Sequence, residues 1–145
     1  MTEPHWQLSP ASWPTDQAEL LAVRSAVFVE EQGVPLELEL DGEDARAWHL
    51  LARSSDGQPI ATGRLLPDGH IGRLAVLAGW RGRGIGRQLL QGLLRQARAQ
   101  QLPAVFLHAQ VDAIGFYQAA GFVAEGADFM DAGIPHRLMR RRLAP

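Results

Sequence analysis

The residues most able to do chemistry lie in one stretch, residues 71–87, which reads IGRLAVLAGWRGRGIGR. An apolar strand-like run leads to a glycine-rich turn and then to a strongly periodic helix. A helix amino terminus leaves backbone N–H groups without intrahelical partners, and its dipole favours anions. Gly82, Gly84 and Gly86 lack the side chains that would keep a phosphate from the backbone, and Arg81, Arg83 and Arg87 add positive charge beside the turn. That combination predicts a pyrophosphate binder. No Lys-Ser or Lys-Thr follows the glycines, which excludes a P-loop. The spacing is G-x-G-x-G, and the next acid is Asp112, too far on to read a ribose, which argues against a dinucleotide fold.

Proton-transfer groups are few. Tyr117 is the only tyrosine and stands in the run FYQAAGF over residues 116–122. Glu31, at the end of the first helix beside an acidic stretch, is the first candidate for a proton acceptor. His136, His108 and His49 are alternatives, because imidazole titrates near neutrality. The five histidines show no ligand spacing, so no metal site is expected. With no cysteine in the chain, a cysteinyl intermediate, a thiolate metal site and a disulfide framework are excluded.

These residues need a frame. Strands are expected at 5–8, 47–54, 59–66, 71–77, 104–109, 122–128 and 136–143. The turns Ser55-Asp56-Gly57 and Pro67-Asp68-Gly69 make the second to fourth strands an antiparallel meander. Apolar residues at Leu20, Val23, Val27 and Phe28 predict a helix over 15–31, ended by Gly33 and Pro35. Ile85, Leu89, Leu93 and Ala97 recur every four residues and predict a long helix over 84–100, and a short helix is expected over 113–120. The fold class is α/β: a mixed central sheet of about six to seven strands flanked by helices. At 145 residues the chain fits one domain, 1–145.

The net charge of −2 conceals an asymmetry. Seven acids and no base fall between Glu30 and Asp44, whereas six arginines and no acid fall between Gly69 and Val111. Two solvated faces would account for this; alternatively one segment meets a polyanion and the other, an acidic loop over 37–46, gathers a cation. Nucleic acid is a poor polyanion here, since no aromatic residues interleave with the arginines. No signal peptide and no membrane-spanning run is visible, so a cytoplasmic location with no membrane or nucleic-acid partner is expected.

Residues 81–86, RGRGIG, following the strand Leu74-Ala75-Val76, match the [RQ]-x-x-G-x-[GA] signature of the GNAT (Gcn5-related N-acetyltransferase) superfamily. The block 116–122 resembles the family's F-Y-x-x-x-G-F. RSAVFVEEQGVP over 24–35 and DAGIPH over 131–136 are similar to stretches of its ElaA-like branch, so the likeness runs from the first helix to the last strand.

The resemblance implies an acetyl-CoA-dependent N-acetyltransferase of GNAT fold. It implies that the Arg81–Arg87 turn, with Ile85 among its residues, holds the CoA pyrophosphate. The backbone of Leu74, Ala75 and Val76 would pair with the pantetheine arm and receive the thioester carbonyl, with backbone donors near Val76 for the oxyanion. Tyr117 would be the general acid for the departing thiolate, with Phe116 beside it at the cofactor. Many members carry Asn near Ala113; Gln110 is the available substitute. Catalysis would proceed by direct attack of a cationic primary amine in a ternary complex, and a homodimer through the C-terminal strands is a habit of the family. Two other readings stand: a non-catalytic acyl-CoA-binding or regulatory module, and an acyltransferase with a longer acyl donor, similar to the acyl-homoserine-lactone synthases. The latter share an R-x-x-V-F pattern in the first helix.

Overall fold

The computed structural model describes residues 5–143. Strands β1 (Trp6–Ala11), β2 (Trp48–Ser54), β3 (Pro59–Leu65) and β4 (Ile71–Val76) form one antiparallel sheet in that order. Strands β5 (Ala104–Gln110), β6 (Val123–Asp131) and β7 (Ile134–Arg142) form a second, in the order β5-β7-β6. Pro10 is tolerated because β1 pairs only with β2 and lies at the sheet's edge. Expected strand and helix positions are all occupied, with bounds shifted by a few residues.

The seven strands are continuous only at one point. His70 and Phe106 form a parallel bridge between β4 and β5, and the Phe106 N–H donates to the Gly69 carbonyl at 3.0 Å. A side chain at position 69 would lie 2.7 Å from the Ala104 carbonyl oxygen, so glycine is what lets the two strands meet there. Beyond that bridge β4 pairs with β3 and β5 with β7, and a cleft opens between their carboxyl ends. The pairing of β3 with β4 slips by one residue between Thr62/Ala75 and Arg64/Gly72, which is a bulge in β4, and Arg73 within it has φ 51°. Bulges re-aim backbone and side chains and concentrate beside sites.

Helix α3 (Ile85–Ala99) lays Ile85, Leu89, Leu90, Leu93, Leu94 and Ala97 against the main core, as its four-residue repeat predicts. Helix α1 (Trp13–Arg24) packs on β3 and β4 with a smaller cluster of Val23, Val27 and Ala75. The single helix expected over 15–31 changes character at Ser25. Ser25–Glu31 winds as a wider π turn, with the Gln32 N–H donating to the Val27 carbonyl five residues back at 3.1 Å. Such turns mark places where one residue is accommodated for function rather than for helix stability.

The acidic loop departs from both readings of its charge. Within it α2 (Leu36–Glu39) begins a segment whose carboxylates turn inward. Glu39 and Asp44 are 2% and 3% exposed, and they meet Arg24 of α1 and Arg64 of β3, at 1% and 3%. Arg24 donates to Asp44 at 2.7 and 3.1 Å and to Glu39; Arg64 donates to Asp44 at 2.9 Å and to Asp41. Arg73 donates to the Glu39 carbonyl at 2.9 Å. Glu37 stays exposed, as the solvated reading has it, but Glu39, Asp41 and Asp44 are neither a solvated face nor a cation trap. They hold residues 36–46 against the sheet.

Candidate active site

The glycine turn is built as an anion cradle. Gly82 and Gly84 have φ of 79° and 81°, a conformation that L side chains rarely adopt, and no atom stands within 4 Å of a Cβ at either. Gly84 is the residue before α3, and the first intrahelical acceptor is its carbonyl, bonded by Gln88 at 3.1 Å. The N–H groups that precede Gln88 are left to a ligand or solvent. Gly86 differs: a Cβ there would touch Phe116 at 3.7 Å and Val76 at 3.8 Å, so its role is packing.

The arginines of the turn divide. Arg81 makes a two-pronged ion pair with Glu31, both bonds at 2.7 Å, and donates from Nε to the Val76 carbonyl at 2.9 Å. It ties the turn to β4 and to the π segment. Arg83 stacks on Trp80, 4.9 Å from the ring centre, and Arg87 is exposed. Among the described residues neither has a carboxylate partner, so these two supply the turn's available charge.

The cleft between β4 and β5, of about 380 Å³, gathers most of the remaining candidates. Leu74 lines it from β4, His108 and Gln110 from β5, and Tyr117 from α4 (Ile114–Ala119). His136 of β7 and Phe28 and Gln32 of the first helical segment close it. Ala75 is buried on the α1 side, while Val76, two residues beyond the cleft residue Leu74, sits beside Gly86.

Tyr117 packs edge-on between Phe116 and Phe122, with ring centres 5.0 and 6.0 Å away. Burial without a nearby charge pushes its phenol up to about 12. It therefore stays protonated across the working range.

The proton acceptors sort by position. Glu31 is not among the cleft residues, and the hydrogen bond from Arg81 holds its carboxyl below the ordinary range, which makes it a poor base. His49 is buried, stacks on Trp13 and donates to the Asp44 carbonyl at 2.9 Å, so it braces the acidic loop. His108 and His136 both line the cleft. Burial lowers His108, which favours its neutral form. The His136 Nδ1 lies 2.7 Å from the Ile134 carbonyl oxygen. A carbonyl can only accept, so Nδ1 carries a proton, and in the neutral ring it is Nε2 that holds the lone pair.

Gln110 lines the cleft, and its amide donates one hydrogen bond across it to Gln32 Oε1 at 2.9 Å. Sequence reasoning also missed His70, Arg64 and Arg73, all cleft residues. The only signal for the arginines was the charge asymmetry, which does not reveal pairing. Among the described residues no group of three or more His, Asp or Glu side chains could hold a metal. None of the helices is long and apolar enough to cross a membrane.

A family model described as an acetyltransferase (GNAT) domain matches residues 16–143. The chain belongs to the GNAT acetyltransferase family. An uncharacterized N-acetyltransferase of Bacillus subtilis, YjcF, is 34% identical over 123 residues, 82% of this chain and 87% of that one. ElaA of Escherichia coli superposes with a TM-score of 0.83 at 30% identity, covering 95% of this chain and 99% of that chain. An acyl-CoA N-acyltransferase of Pseudomonas aeruginosa does so with a TM-score of 0.80 at 32% identity, covering 96% and 99%. The GNAT family uses acyl-CoA.

Proposed function

We propose that residues 1–145 act as one unit that moves an acetyl group from acetyl-CoA to a primary amine of a small molecule or peptide. The observation that carries this reading is the seam at Gly86, where Val76 and Phe116 stand beside the open glycine turn while their near neighbours in the chain, Leu74 and Tyr117, line the cleft. The residues present fit acetyl-CoA: two left-handed glycines with no atom at their Cβ positions leave room for a pyrophosphate, with Arg83 and Arg87 beside it. Leu74, Ala75 and Val76 would hold the pantetheine arm along the unpaired side of β4. Ile85 buries its side chain in the core and so fixes the start of α3, which leaves its backbone N–H to the ligand.

Acetyl-CoA, when bound, supplies a thioester whose acyl carbon forms the new C–N bond as the C–S bond breaks. The chain's residues do the rest. The β4 backbone near Val76 donates to the oxyanion. His136 Nε2 takes the proton from the amine, with His108 beside it in the same cleft. Tyr117 delivers its proton to the departing sulfur and recovers it by exchange with solvent. The two-reactant geometry supplies much of the rate, because ordering the amine against the thioester replaces an encounter between free molecules.

Thiol release measured with acetyl-CoA and a panel of amines tests the reading. Amine-dependent release with one acetyl-amide formed per thiol supports it; acetyl-CoA binding with no release in the presence of any amine overturns it in favour of a binding module.

A further inference from the structure

Past the Gln32–Gln110 bridge the cleft continues into a second lobe of about 120 Å³. Phe28, Gln32, Arg73, Gln110, Asp131 and His136 line both lobes, so the two are one path. The added walls are Val34, Leu38, Ala132 and Ile134, with the ion-paired Glu39 as the one charged residue among them. Leu38 is 54% exposed and stands at the rim.

The charges along this path are nearly all spent. Glu39 is paired with Arg24 and Arg73, Asp41 with Arg64 and Arg73, and Asp44 with Arg24 and Arg64. Asp131, exposed at the start of the β6–β7 turn, has no ion-pair partner among the described residues. It is the one carboxylate of the path free to meet a ligand, and it lines the same stretch as His136.

Resting on the acetyl-transfer reading, we propose that the acceptor is a small primary monoamine on an apolar body, its ammonium drawn to Asp131 beside His136 and its body in the Val34–Leu38–Ile134 lobe. A ring or short aliphatic chain matches the space, since an apolar cavity of about 150 Å³ takes a benzene. A polyamine fits worse: its second ammonium would lie against Val34, Leu38 and Ile134, where the one acid, Glu39, is 2% exposed and already shared by the cations Arg24 and Arg73. An amino acid also fits badly, because its carboxylate sits next to the amine and would face Asp131.

Steady-state thiol release with 2-phenylethylamine, hexylamine, spermidine and glycine, each at saturating acetyl-CoA, tests this. The expected result is a kcat/KM for the two apolar amines at least about tenfold above that for spermidine or glycine, in proportion to more than 1.4 kcal/mol of discrimination. Asp131→Asn should raise the KM for 2-phenylethylamine about fivefold while kcat and the acetyl-CoA Kd hold, as expected for one exposed charge pair. Leu38→Glu, which puts a carboxylate at the rim of the lobe, should shift preference toward spermidine. Thiol release that favours spermidine or glycine in the unmodified chain overturns the substrate class and leaves acetyl transfer standing. An unchanged KM in Asp131→Asn overturns the role of Asp131. Acetyl-CoA binding with no thiol release for any amine overturns both readings together.

Discussion

Replacing Tyr117 by Phe removes one oxygen and little else. The ring keeps its edge contacts with Phe116 and Phe122, and the backbone carbonyl of residue 117 still accepts from Ala120 and Phe122 at 3.0 and 3.1 Å. Among the described residues the hydroxyl makes no protein hydrogen bond that the fold would miss. Stability and acetyl-CoA affinity should therefore hold. With the phenol at about 12, roughly one molecule in 10⁴ is ionised at pH 8, so the wild-type enzyme starts nearly every cycle with the proton in place. A free thiol near pKa 8.5 would take that proton uphill by about 5 kcal/mol. The buried cleft narrows the gap, because desolvation raises a thiolate as it raises a phenolate. Loss of the donor should lower kcat by about 10² to 10³, or about 2.7 to 4 kcal/mol of barrier. Thiol release under saturating substrates gives kcat, and calorimetry gives the acetyl-CoA Kd. The wild-type profile should also show no loss of activity from tyrosine ionisation between pH 7 and 10. A kcat for Tyr117→Phe within about threefold of wild type would refute the assignment of Tyr117 as proton donor.

Further outcomes follow from the same geometry. Gly84→Ala should weaken acetyl-CoA binding at least about tenfold, because its φ of 81° costs an L residue about 1–2 kcal/mol, whereas Gly86→Ala should be mild, since its Cβ meets only ordinary contacts; calorimetry on the pair checks the contrast. Asp44→Ala leaves the buried Arg24 and Arg64 guanidiniums short of a carboxylate and should cost about 3–5 kcal/mol in denaturant unfolding. Arginine hydrogen bonds hold Asp44 and Asp41 below the ordinary carboxylate range. A depressed folded pKa gives stability that is present above the unfolded value near 3.8 and lost as pH falls below it, so melting temperature should be steady from about pH 7 to 5 and drop below about pH 4. Glu31→Gln should keep kcat within about threefold and loosen acetyl-CoA binding slightly, because Glu31 anchors Arg81 rather than taking a proton; a large fall in kcat with unchanged affinity would return it to the base's role.

Much of the frame was legible because its signals are local. The four-residue repeat of Ile85, Leu89, Leu93 and Ala97 marks α3, and the turn glycines mark where the chain must enter it. What escaped depends on partners far apart in the chain. Asp44 meets Arg64 twenty residues on, so the charge run over 37–44 reads as solvated until the sheet brings β3 beneath it. The π turn at Ser25–Glu31 is invisible because Val27 and Phe28 satisfy an α-helical pattern equally well. The division of the sheet was hidden for a similar reason: only the packing of Gly69 against Ala104 shows where β4 and β5 touch and where they part. At the site, the glycine turn that opens α3 could be read from residue types, whereas the choice among Glu31, His49, His108 and His136 required knowing which of them reach the cleft.

The central claim is that the Gly82–Gly86 turn and the adjoining cleft bind acetyl-CoA, and calorimetric titration of acetyl-CoA, with dephospho-CoA and Gly84→Asp as controls, tests it most directly. The account predicts one-site binding with a Kd on the order of micromolar for acetyl-CoA, and a sharp loss in Gly84→Asp, where an added carboxylate occupies the cradle. Absence of binding at millimolar acetyl-CoA, or equal affinity in Gly84→Asp, would contradict it.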